Sequence, residues 1–455
     1  MTQKTKDILL KVSVNVCRML LALTFVFSGF VKANDPYGMS YKLTDYLTAW
    51  GVSVPELFTL VGAVVLAYVE FIIGLYLFFG ISRRPVARIT WVLMLLMTLL
   101  TVYIAIFNPV SDCGCFGDAV ILTNVETLLK NIVLLAASFV VLRYYELQIK
   151  FVSMNTGWII SLLSNVYVLV FAGVCIATLP MIDFRPYHLG ADIRKGVELP
   201  DSLRPQYDVK VVYTRNGETL ELGIDDDDPD STWTYVETKR VLVKEAGKTL
   251  MSDFYIIDNE YDEDITEMVL ANEGYTFLLV APLLETANQG YIGRINNIYD
   301  YTLQHEYGFY CVSASDSVAR AYWADHTGAE YPIYRGDERT LKTVVRSNPG
   351  LVLLKDGKII NKFSVYQMPG EEMLAQRLED SEFGQLNYVS LKSKLTLMLA
   401  LFVLPLLLLT LIDRLAAGWS FYRRLKRKSK DLQLENIERK LGIEKPQDVP
   451  TANEA

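Results

Sequence analysis

The chain has 455 residues, 51% of them hydrophobic, and its 52 acidic residues against 44 basic ones give a formal net charge of −8. This length and apolar content exceed what one ordinary soluble domain needs for its core, which excludes a uniform soluble protein. The net acidity, with a basic cluster only in the last segment, argues against nucleic acid as a main partner.

Six apolar stretches have the length of about 20 residues that a helix needs to cross the hydrocarbon core of a membrane. The first is too long and too polar at its exit for a removed signal peptide, and it has no small-residue cleavage site, so it predicts an anchor. The predicted spans are residues 12–31, 56–79, 89–107, 125–142, 157–180 and 393–412.

Basic residues in the short loops predict the orientation, because Lys and Arg resist translocation. They precede the first span, join spans two and three and spans four and five, and recur in the tail 413–455, whereas the loop 108–124 has none. We therefore predict a bacterial inner-membrane protein with both termini in the cytoplasm and the segment 181–390 in the periplasm. The basic tail predicts contact with anionic membrane lipid.

The segment between spans five and six predicts a soluble exported part, because residues 181–390 hold 36 Asp and Glu against 20 Lys and Arg. Residues 181–261 are rich in strand patterns that indicate antiparallel hairpins. In residues 262–390, strands alternate with helices and end in a hairpin followed by a helix at about 370–380. This order is typical of a small α/β layer structure.

The most informative local feature is a pair of cysteines, Cys113 and Cys115, in the predicted exported loop. Two thiols one residue apart can close a tight, strained disulfide, and strained exposed disulfides exchange electrons rather than brace a fold. Gly114 supplies the backbone freedom that such a small ring requires. A soft-metal site and a permanent structural disulfide are the alternatives, and with no histidine nearby in sequence we predict no metal site. We expect the neighbours Asp112 and Asp118 to raise the pKa of a nearby thiol, which weighs against a strongly activated thiolate.

Two further residues are candidates for the same chemistry. Cys175 lies near the exported end of span five, at the predicted depth of the cysteine loop, so it is a candidate relay for thiol exchange, with simple packing as the alternative. Glu70 falls inside span two, where it could couple proton movement or merely join helices. Lys130 follows Glu126 by four residues, a spacing that predicts an ion pair on one helix face.

Several motifs in the first part of the chain resemble the DoxX/MauE family of membrane proteins over roughly residues 8–145. The motifs are Phe27-Ser28-Gly29-Phe30-Val31-Lys32, Asp35-Pro36, Glu70 with Gly74, and Asp112-Cys113-Gly114-Cys115-Phe116-Gly117-Asp118. Members are four-helix membrane bundles linked to redox work. The resemblance implies such a bundle over residues 1–150, with Cys113 and Cys115 as its dithiol. It also implies a membrane quinone as a candidate electron partner and an exported thiol or disulfide protein as the client.

Residues 262–385 resemble a thioredoxin-like domain. Phe277 to Ala281 stands where the first core strand of that fold ends, and Ser347-Asn348-Pro349-Gly350 occupies the place of its cis-proline. The Cys-x-x-Cys of that family is missing, because Leu283-Leu284-Glu285-Thr286 contains no thiol. The resemblance implies a redox-silent domain that docks partners, with Asn348, Pro349 and Gly350 as candidate partner-binding residues.

The predicted fold class is a membrane protein with an N-terminal four-helix transmembrane bundle of the DoxX/MauE type. Fifth and sixth transmembrane helices flank an exported α/β thioredoxin-like domain. The predicted function is thiol–disulfide redox chemistry at the Cys-Gly-Cys pair, with a quinone as the candidate electron partner. The alternative is a non-catalytic scaffold or assembly factor whose thioredoxin-like domain binds a partner.

Overall fold

A computed structural model of the chain describes residues 2–110, 113–198, 206–215, 218–223, 233–244, 249, 251–386 and 391–441. The helices of more than eight residues are α1 (Gln3–Asn34), α2 (Pro36–Ala49), α3 (Glu56–Phe79), α4 (Arg83–Phe107), α5 (Asn124–Arg143), α6 (Met154–Ala177), α9 (Ile292–His305), α10 (Ser317–Thr327) and α12 (Leu391–Leu441). The shorter ones are α7 (Ile193–Val197), α8 (Thr266–Leu270) and α11 (Glu338–Val344). The strands are β1 (Gln206–Arg215), β2 (Glu218–Gly223), β3 (Thr234–Lys244), β4 (Ile257–Asp258), β5 (Glu263–Asp264), β6 (Tyr275–Val280), β7 (Gly308–Ser313), β8 (Ile333–Arg335), β9 (Gly350–Lys355) and β10 (Lys358–Ser364).

Within the described residues, six helices are long and apolar enough to cross a membrane: α1, α3, α4, α5, α6 and α12. They coincide with the six predicted spans, so the chain is a multi-pass membrane protein. Three of them extend at least six residues beyond the predicted bounds, because α1 begins at Gln3, α4 begins at Arg83 and α12 continues to Leu441.

The segment between spans one and two contains a helix that the sequence analysis did not predict. Asp35 begins α2 by accepting a hydrogen bond from the Gly38 N–H at 2.9 Å, and Pro36 occupies the first turn. This is a common way to start a helix, since proline lacks the N–H that would be unpaired there. The Ser40 and Thr59 hydroxyls, 2.8 Å apart, join α2 to the start of α3.

The bundle core forms where α1 crosses α3. Gly29 faces the Phe71 backbone and Gly74 faces the Val26 backbone, so the two helices approach closely, as small residues allow in membrane bundles. Buried side chains of α4 and α5, such as Met94 and Leu134, complete this core.

Helices α6 and α12 pack against the outer side of α3, and they contact each other where the Tyr167 and Phe402 rings stack with their centroids 4.2 Å apart. The Asp413 carboxylate of α12 accepts hydrogen bonds from the Ser153 N–H at 3.0 Å and from the Thr156 hydroxyl at 2.5 Å. These contacts fix the last helix to the start of α6.

The segment between α6 and α12 forms an α/β domain with a seven-stranded sheet in the order β10-β9-β6-β7-β8-β4-β5. Strands β6, β7 and β8 are parallel neighbours, whereas β9 is antiparallel to both β6 and β10. The order and directions of β10, β9, β6 and β7 are those expected of a thioredoxin-like sheet. The Asn348–Pro349 peptide bond before β9 is cis, as its predicted position implied.

The core of the α/β domain takes residues from both sides of the predicted boundary at 261/262. Tyr187, Ile193 and Phe254, which precede the boundary, pack in one cluster with Val352 and Ile359 of the β9–β10 hairpin. Strands β1, β2 and β3 form a separate antiparallel sheet in the order β2-β1-β3, as their alternating pattern predicted.

The predicted helix at 370–380 is wrong. The chain there forms turns and two short 3₁₀ segments, Leu378–Asp380 and Glu382–Gly384. This path buries Leu378 and Phe383 beneath the sheet, and the Tyr275 hydroxyl donates a hydrogen bond to the Gly384 carbonyl at 3.0 Å. Packing against the sheet therefore outweighs the local helical preference.

The close crossing of α1 and α3 generates a stability prediction. A methyl group at Gly29 or Gly74 would lie under 3.0 Å from the backbone of the facing helix. We expect Gly29→Ala and Gly74→Ala each to lower the free energy of unfolding by about 1–3 kcal/mol through overpacking. The measurement is the thermal unfolding midpoint of the detergent-purified chain. Gly173→Ala in α6 is the matched control, because nothing lies within 4 Å of its added methyl; equal midpoints for all three variants would contradict the close-packing account.

Candidate functional site

The loop between α4 and α5 carries the cysteine pair, and its two ends are tied together. Helix α4 ends at Asn108 in a left-handed conformation, and the Asn124 side-chain amide donates a hydrogen bond to the Asn108 side-chain oxygen at 2.6 Å. Thr123 and Glu126 cap the start of α5 reciprocally. The loop is therefore short, and its two ends are held close together at one end of the bundle.

The two cysteine sulfurs lie together on one side of this loop. Cys113 Sγ and Cys115 Sγ are 3.1 Å apart, and both cysteines are free thiols. Gly114 between them has φ +67°, a left-handed conformation that side-chain-bearing residues seldom adopt. Its backbone turns the two side chains toward each other, and its role in closing a disulfide ring stays a prediction.

Side chains from two helices hold the backbone on either side of Gly114. The Tyr46 hydroxyl of α2 donates to the Cys113 carbonyl at 3.0 Å. The Ser28 hydroxyl and the Lys32 ammonium of α1 both donate to the Cys115 carbonyl at 2.7 Å. Helices α1 and α2 therefore fix the position of the cysteine pair, which does not lie on a free loop.

Lys32 also forms a buried ion pair with Glu70 of α3. Lys32 Nζ lies 2.7 Å from Glu70 Oε2, and the two side chains are 3% and 5% exposed. The sequence predicts a role for Glu70 but does not identify Lys32 as its partner, although a carboxylate inside a span needs a nearby cation. The proton-coupling role of Glu70 stays a prediction.

The predicted pairing of Lys130 with Glu126 is wrong. Glu126 is occupied by the cap of α5, where it accepts hydrogen bonds from the Thr123 N–H at 2.9 Å and the Thr123 hydroxyl at 2.8 Å. Lys130 instead places its ammonium 4.2 Å from the centre of the Phe116 ring in the cysteine loop, a cation–π contact.

The two thiols differ in acidity. The hydrogen bond from the Cys113 thiol lowers the pKa of Cys115 below its ordinary value, and the positive charges of Lys130 and Lys32 act in the same direction, against burial. The same hydrogen bond, together with burial, raises the pKa of Cys113. The net shift of the Cys115 pKa is therefore downward, and the separate contribution expected of Asp112 and Asp118 stays a prediction.

Asp118, one of those acidic neighbours, is neutralised by the α/β domain, whereas Asp112 lies outside the described residues. Arg346, whose side chain is 7% exposed, contacts Asp118 at 3.1 Å and Asp35 at 3.0 Å. These two carboxylates outweigh burial and raise the pKa of Arg346. Nothing in the sequence singled out Arg346, because its partners lie hundreds of residues away.

A cavity of about 160 Å³ inside the bundle, here called the intrabundle cavity, adjoins the pair. Its chemically active lining residues are Lys32, Glu70, Cys113, Cys115 and Lys130. The rest of the lining is largely apolar and includes Phe25, Met94, Met97 and Leu134. The structure thus brings two predicted site regions together, since Glu70 and the cysteine pair line one space.

Cys175 lies elsewhere in the bundle. It is 1% exposed and packs in an apolar cluster with Phe71, Phe171 and Phe402, whereas Cys113 and Cys115 belong to a different cluster. Its relay role stays a prediction.

The cis-proline loop of the α/β domain is tied to the segment that replaces the missing Cys-x-x-Cys. The Asn348 amide donates to the Leu283 carbonyl at 2.7 Å, and Ser315 links the Glu285 carboxylate at 2.6 Å to the Leu284 N–H at 2.9 Å. Pro349 and Gly350 are buried. The role of Asn348, Pro349 and Gly350 in partner binding stays a prediction.

The fold and the site define a membrane helix bundle that holds a dithiol at one end beside an internal cavity. Residues 10–144 match the family model described as methylamine utilisation protein MauE, so this bundle is MauE-like. No curated protein matches the chain. Among solved structures, a proposed protein disulfide isomerase from Bacteroides thetaiotaomicron is similar at 15% identity and a TM-score of 0.23. That match covers 27% of this chain and 80% of the other.

The unequal acidities predict how the pair reacts with an alkylating reagent. Because the thiolate is the nucleophile, we expect the alkylation rate of Cys115 in the reduced protein to rise with a midpoint at lower pH than that of an ordinary thiol, and Cys113 to react only at higher pH. Cys113→Ala removes the hydrogen bond to the Cys115 sulfur and should raise the midpoint pH of Cys115 alkylation. Lys130→Met should raise that midpoint less. The measurement is iodoacetamide labelling across pH with peptide mass spectrometry, and Cys175→Ala is the control. A midpoint that Cys113→Ala does not move would contradict this account.

The buried ion pair predicts a second outcome. Lys32→Met leaves the Glu70 carboxylate buried without its cation, and we expect a loss of about 3–5 kcal/mol in the free energy of unfolding. The double variant Lys32→Met/Glu70→Met should recover most of that loss, since apolar side chains can replace a buried pair. The measurement is denaturant-induced unfolding of the purified chain. If the double variant is no more stable than the single one, the pair is not the source of the loss.

Proposed function

We propose that this chain is a thiol–disulfide oxidoreductase of the bacterial inner membrane, whose Cys113 and Cys115 form a disulfide that oxidises a cysteine-bearing partner on the exported side. The observation that carries the proposal is the pair itself: two sulfurs 3.1 Å apart, fixed by α1 and α2 at the edge of an internal cavity. The match of residues 10–144 to the MauE family supports it, because the family resemblance implies membrane redox work.

The chemical step divides the work between the two sulfurs. A partner thiolate attacks Cys113, the Cys113–Cys115 bond breaks, and Cys115 leaves as the thiolate, since the thiol of lower pKa is the better leaving group. The partner's second thiolate then attacks its own sulfur in the mixed disulfide. The partner leaves oxidised, and the pair is left reduced with two electrons and two protons gained.

The intrabundle cavity suits a quinone as the acceptor of those electrons. A cavity of about 150 Å³ holds a benzene ring in a protein core, so about 160 Å³ accommodates a single ring. Phe25 and Met94 would line the space for its ring, and the Lys130 ammonium would donate a hydrogen bond to one of its oxygens. A bound quinone would take up two electrons and two protons as the disulfide re-forms.

Trapping of mixed disulfides tests this division of roles. In a single-cysteine variant a mixed disulfide forms when the remaining thiolate attacks the disulfide of the oxidised partner and displaces the partner's other sulfur as a thiolate. We expect Cys115→Ala to accumulate this adduct through Cys113, the sulfur that meets the partner, because its resolving neighbour is gone, and Cys113→Ala to accumulate much less. The measurement is non-reducing electrophoresis of membranes followed by mass spectrometry, with the double alanine variant as the blank and Cys175→Ala as the control. A pair that stays fully oxidised in cells, with no trapped partner in either variant, would instead favour a scaffold with a permanent disulfide.

A further inference from the structure

The end of the bundle opposite the cysteine pair contains a buried arginine. Arg18 of α1 lies 14 positions before Lys32, which corresponds to about 21 Å along the helix. Its side chain is 0% exposed. The Nη1 group donates a hydrogen bond to the Ile149 carbonyl, and the guanidinium lies 5.1 Å from the centre of the Phe151 ring. These two contacts hold the guanidinium but supply no negative charge.

Arg18 differs from the other basic residues that the structure buries. Within the described part of the chain, no carboxylate pairs with it, and the charged side chain that acts on it is Arg83, a second cation. An unpaired charge inside a protein is strongly destabilising. Each of the other buried basic residues contacts a carboxylate, in the pairs Lys32–Glu70, Arg185–Asp183 and Arg346–Asp35.

The unpaired nitrogens of Arg18 lie on one edge of its guanidinium. Among the residues that the structure describes, Nε and Nη2 have no hydrogen-bond partner. The N–H groups on this edge point the same way, and they can bind two oxygens of one carboxylate or phosphate in parallel. Arg414 uses the same edge in this protein, because its Nε and Nη2 donate to the Phe151 and Lys150 carbonyls at 2.9 Å and 2.8 Å.

Three arginines from different helices meet at the loop between α5 and α6, and they are here called the arginine cluster. Arg18 belongs to α1, Arg83 to α4 and Arg414 to α12. Their guanidinium groups donate to loop carbonyls, those of Glu146, Gln148, Ile149, Lys150 and Phe151. Carbonyl oxygens accept these hydrogen bonds but carry no net charge. The loop therefore holds the three cations together without neutralising them.

A further buried donor lies in the same loop. The Gln148 side chain is 4% exposed, and its Nε2 has no hydrogen-bond partner in the described residues. The unpartnered buried atoms of Arg18 and Gln148 are thus all donors. A donor excess around a buried positive charge indicates a ligand that carries negative charge and several acceptor oxygens.

The location of the arginine cluster indicates where such a ligand comes from. Arg83 is the first residue of α4, and a methyl group on Gly80, which follows α3, would lie 3.2 Å from Arg18 Nη1. The cluster therefore lies at the level where these two spans end. Phospholipid headgroups lie at this boundary, and basic pockets between transmembrane helices bind anionic headgroups.

We propose that the arginine cluster binds an anionic phosphate group at the membrane boundary, with Arg18 Nε and Nη2 as its paired donors. The headgroup of an anionic phospholipid and free inorganic phosphate share this chemistry, and the experiment separates them. Both nitrogens are covered in this structure, so binding requires the side chains around them to shift. The site is independent of the thiol chemistry of the cysteine pair.

The test measures lipid binding to the full-length protein in detergent after its own lipid has been removed. Native mass spectrometry gives the apparent affinity for phosphatidylglycerol, which is anionic, and for phosphatidylcholine, in which choline cancels the charge of the phosphate. We expect wild type to bind phosphatidylglycerol about tenfold more tightly, a difference of ~1.4 kcal/mol, and Arg18→Met to lose this preference.

Two further variants separate the site from general charge. Arg88→Met is the matched control, because Arg88 is an exposed arginine of α4 one turn beyond Arg83, and this variant should keep the preference. Arg18→Lys keeps the positive charge without the paired edge, so it should lose most of the preference. Should Arg18→Met fail to fold, Arg18→Lys provides the same comparison.

Free phosphate is tested by the thermal unfolding midpoint of the lipid-free protein, with chloride at equal ionic strength as the reference. A ligand that binds only the folded protein raises this midpoint. A rise with inorganic phosphate that the Arg18 variants lose and Arg88→Met keeps, without a preference for phosphatidylglycerol, would support the site with free phosphate as its ligand.

The remaining outcomes decide the proposal. A preference for phosphatidylglycerol that depends on Arg18 and not on Arg88 would support a lipid headgroup as the ligand. Equal effects of the Arg18 and Arg88 variants would show that only general charge acts, and the proposal would be overturned. It would also be overturned if wild type responded to neither phosphatidylglycerol nor phosphate.

Discussion

A single buried ammonium group organises the site. Lys32 binds the Glu70 carboxylate, the Ser28 hydroxyl and the Cys115 carbonyl, each at 2.7 Å, so one side chain joins α1, α3 and the cysteine loop. Neither charge could remain buried without the other, since an isolated ion inside a protein is strongly destabilising. The same pairing limits the effect of Lys32 on the thiol, because Glu70 acts on the pKa of Cys115 in the opposite direction. Lys130, over the Phe116 ring, consequently lowers that pKa more than Lys32 does.

The α/β domain contributes to this site although its one cysteine, Cys311, is buried in β7 and away from the pair. Arg346 neutralises Asp118 next to the pair and also binds Asp35. Asp35 caps α2, and Tyr46 of the same helix holds the Cys113 carbonyl. A continuous series of contacts therefore runs from the cis-proline end of the domain to the cysteine pair. The missing Cys-x-x-Cys is then consistent with a domain that shapes the environment of another dithiol.

Features with a local signature could be predicted from the sequence. The six spans follow from apolar length alone, the dithiol from the spacing of Cys113 and Cys115, and the cis peptide from the place of Pro349 in the thioredoxin-like pattern. Helix α2 was missed because it is short and mixed in polarity, although Asp35 followed by Pro36 is a helix-start signal. Interactions between residues that are far apart in the sequence carried no such signature. Lys32 lies 38 positions from Glu70, and Arg346 lies 311 positions from Asp35, so only the packed fold brings them together.

The asymmetry of the pair fits the asymmetry of its surroundings. Cys113 has the raised pKa, and the Tyr46 hydroxyl of α2 holds its carbonyl. Cys115 has the lowered pKa and lies near the cations of the intrabundle cavity. In an exchange with a protein thiol the more acidic sulfur is the better leaving group, and in the return reaction it is the sulfur present as thiolate at neutral pH. Under the proposed function, the acidity of each sulfur therefore suits the step assigned to it, and the single glycine between the two cysteines keeps their sulfurs within reach of each other.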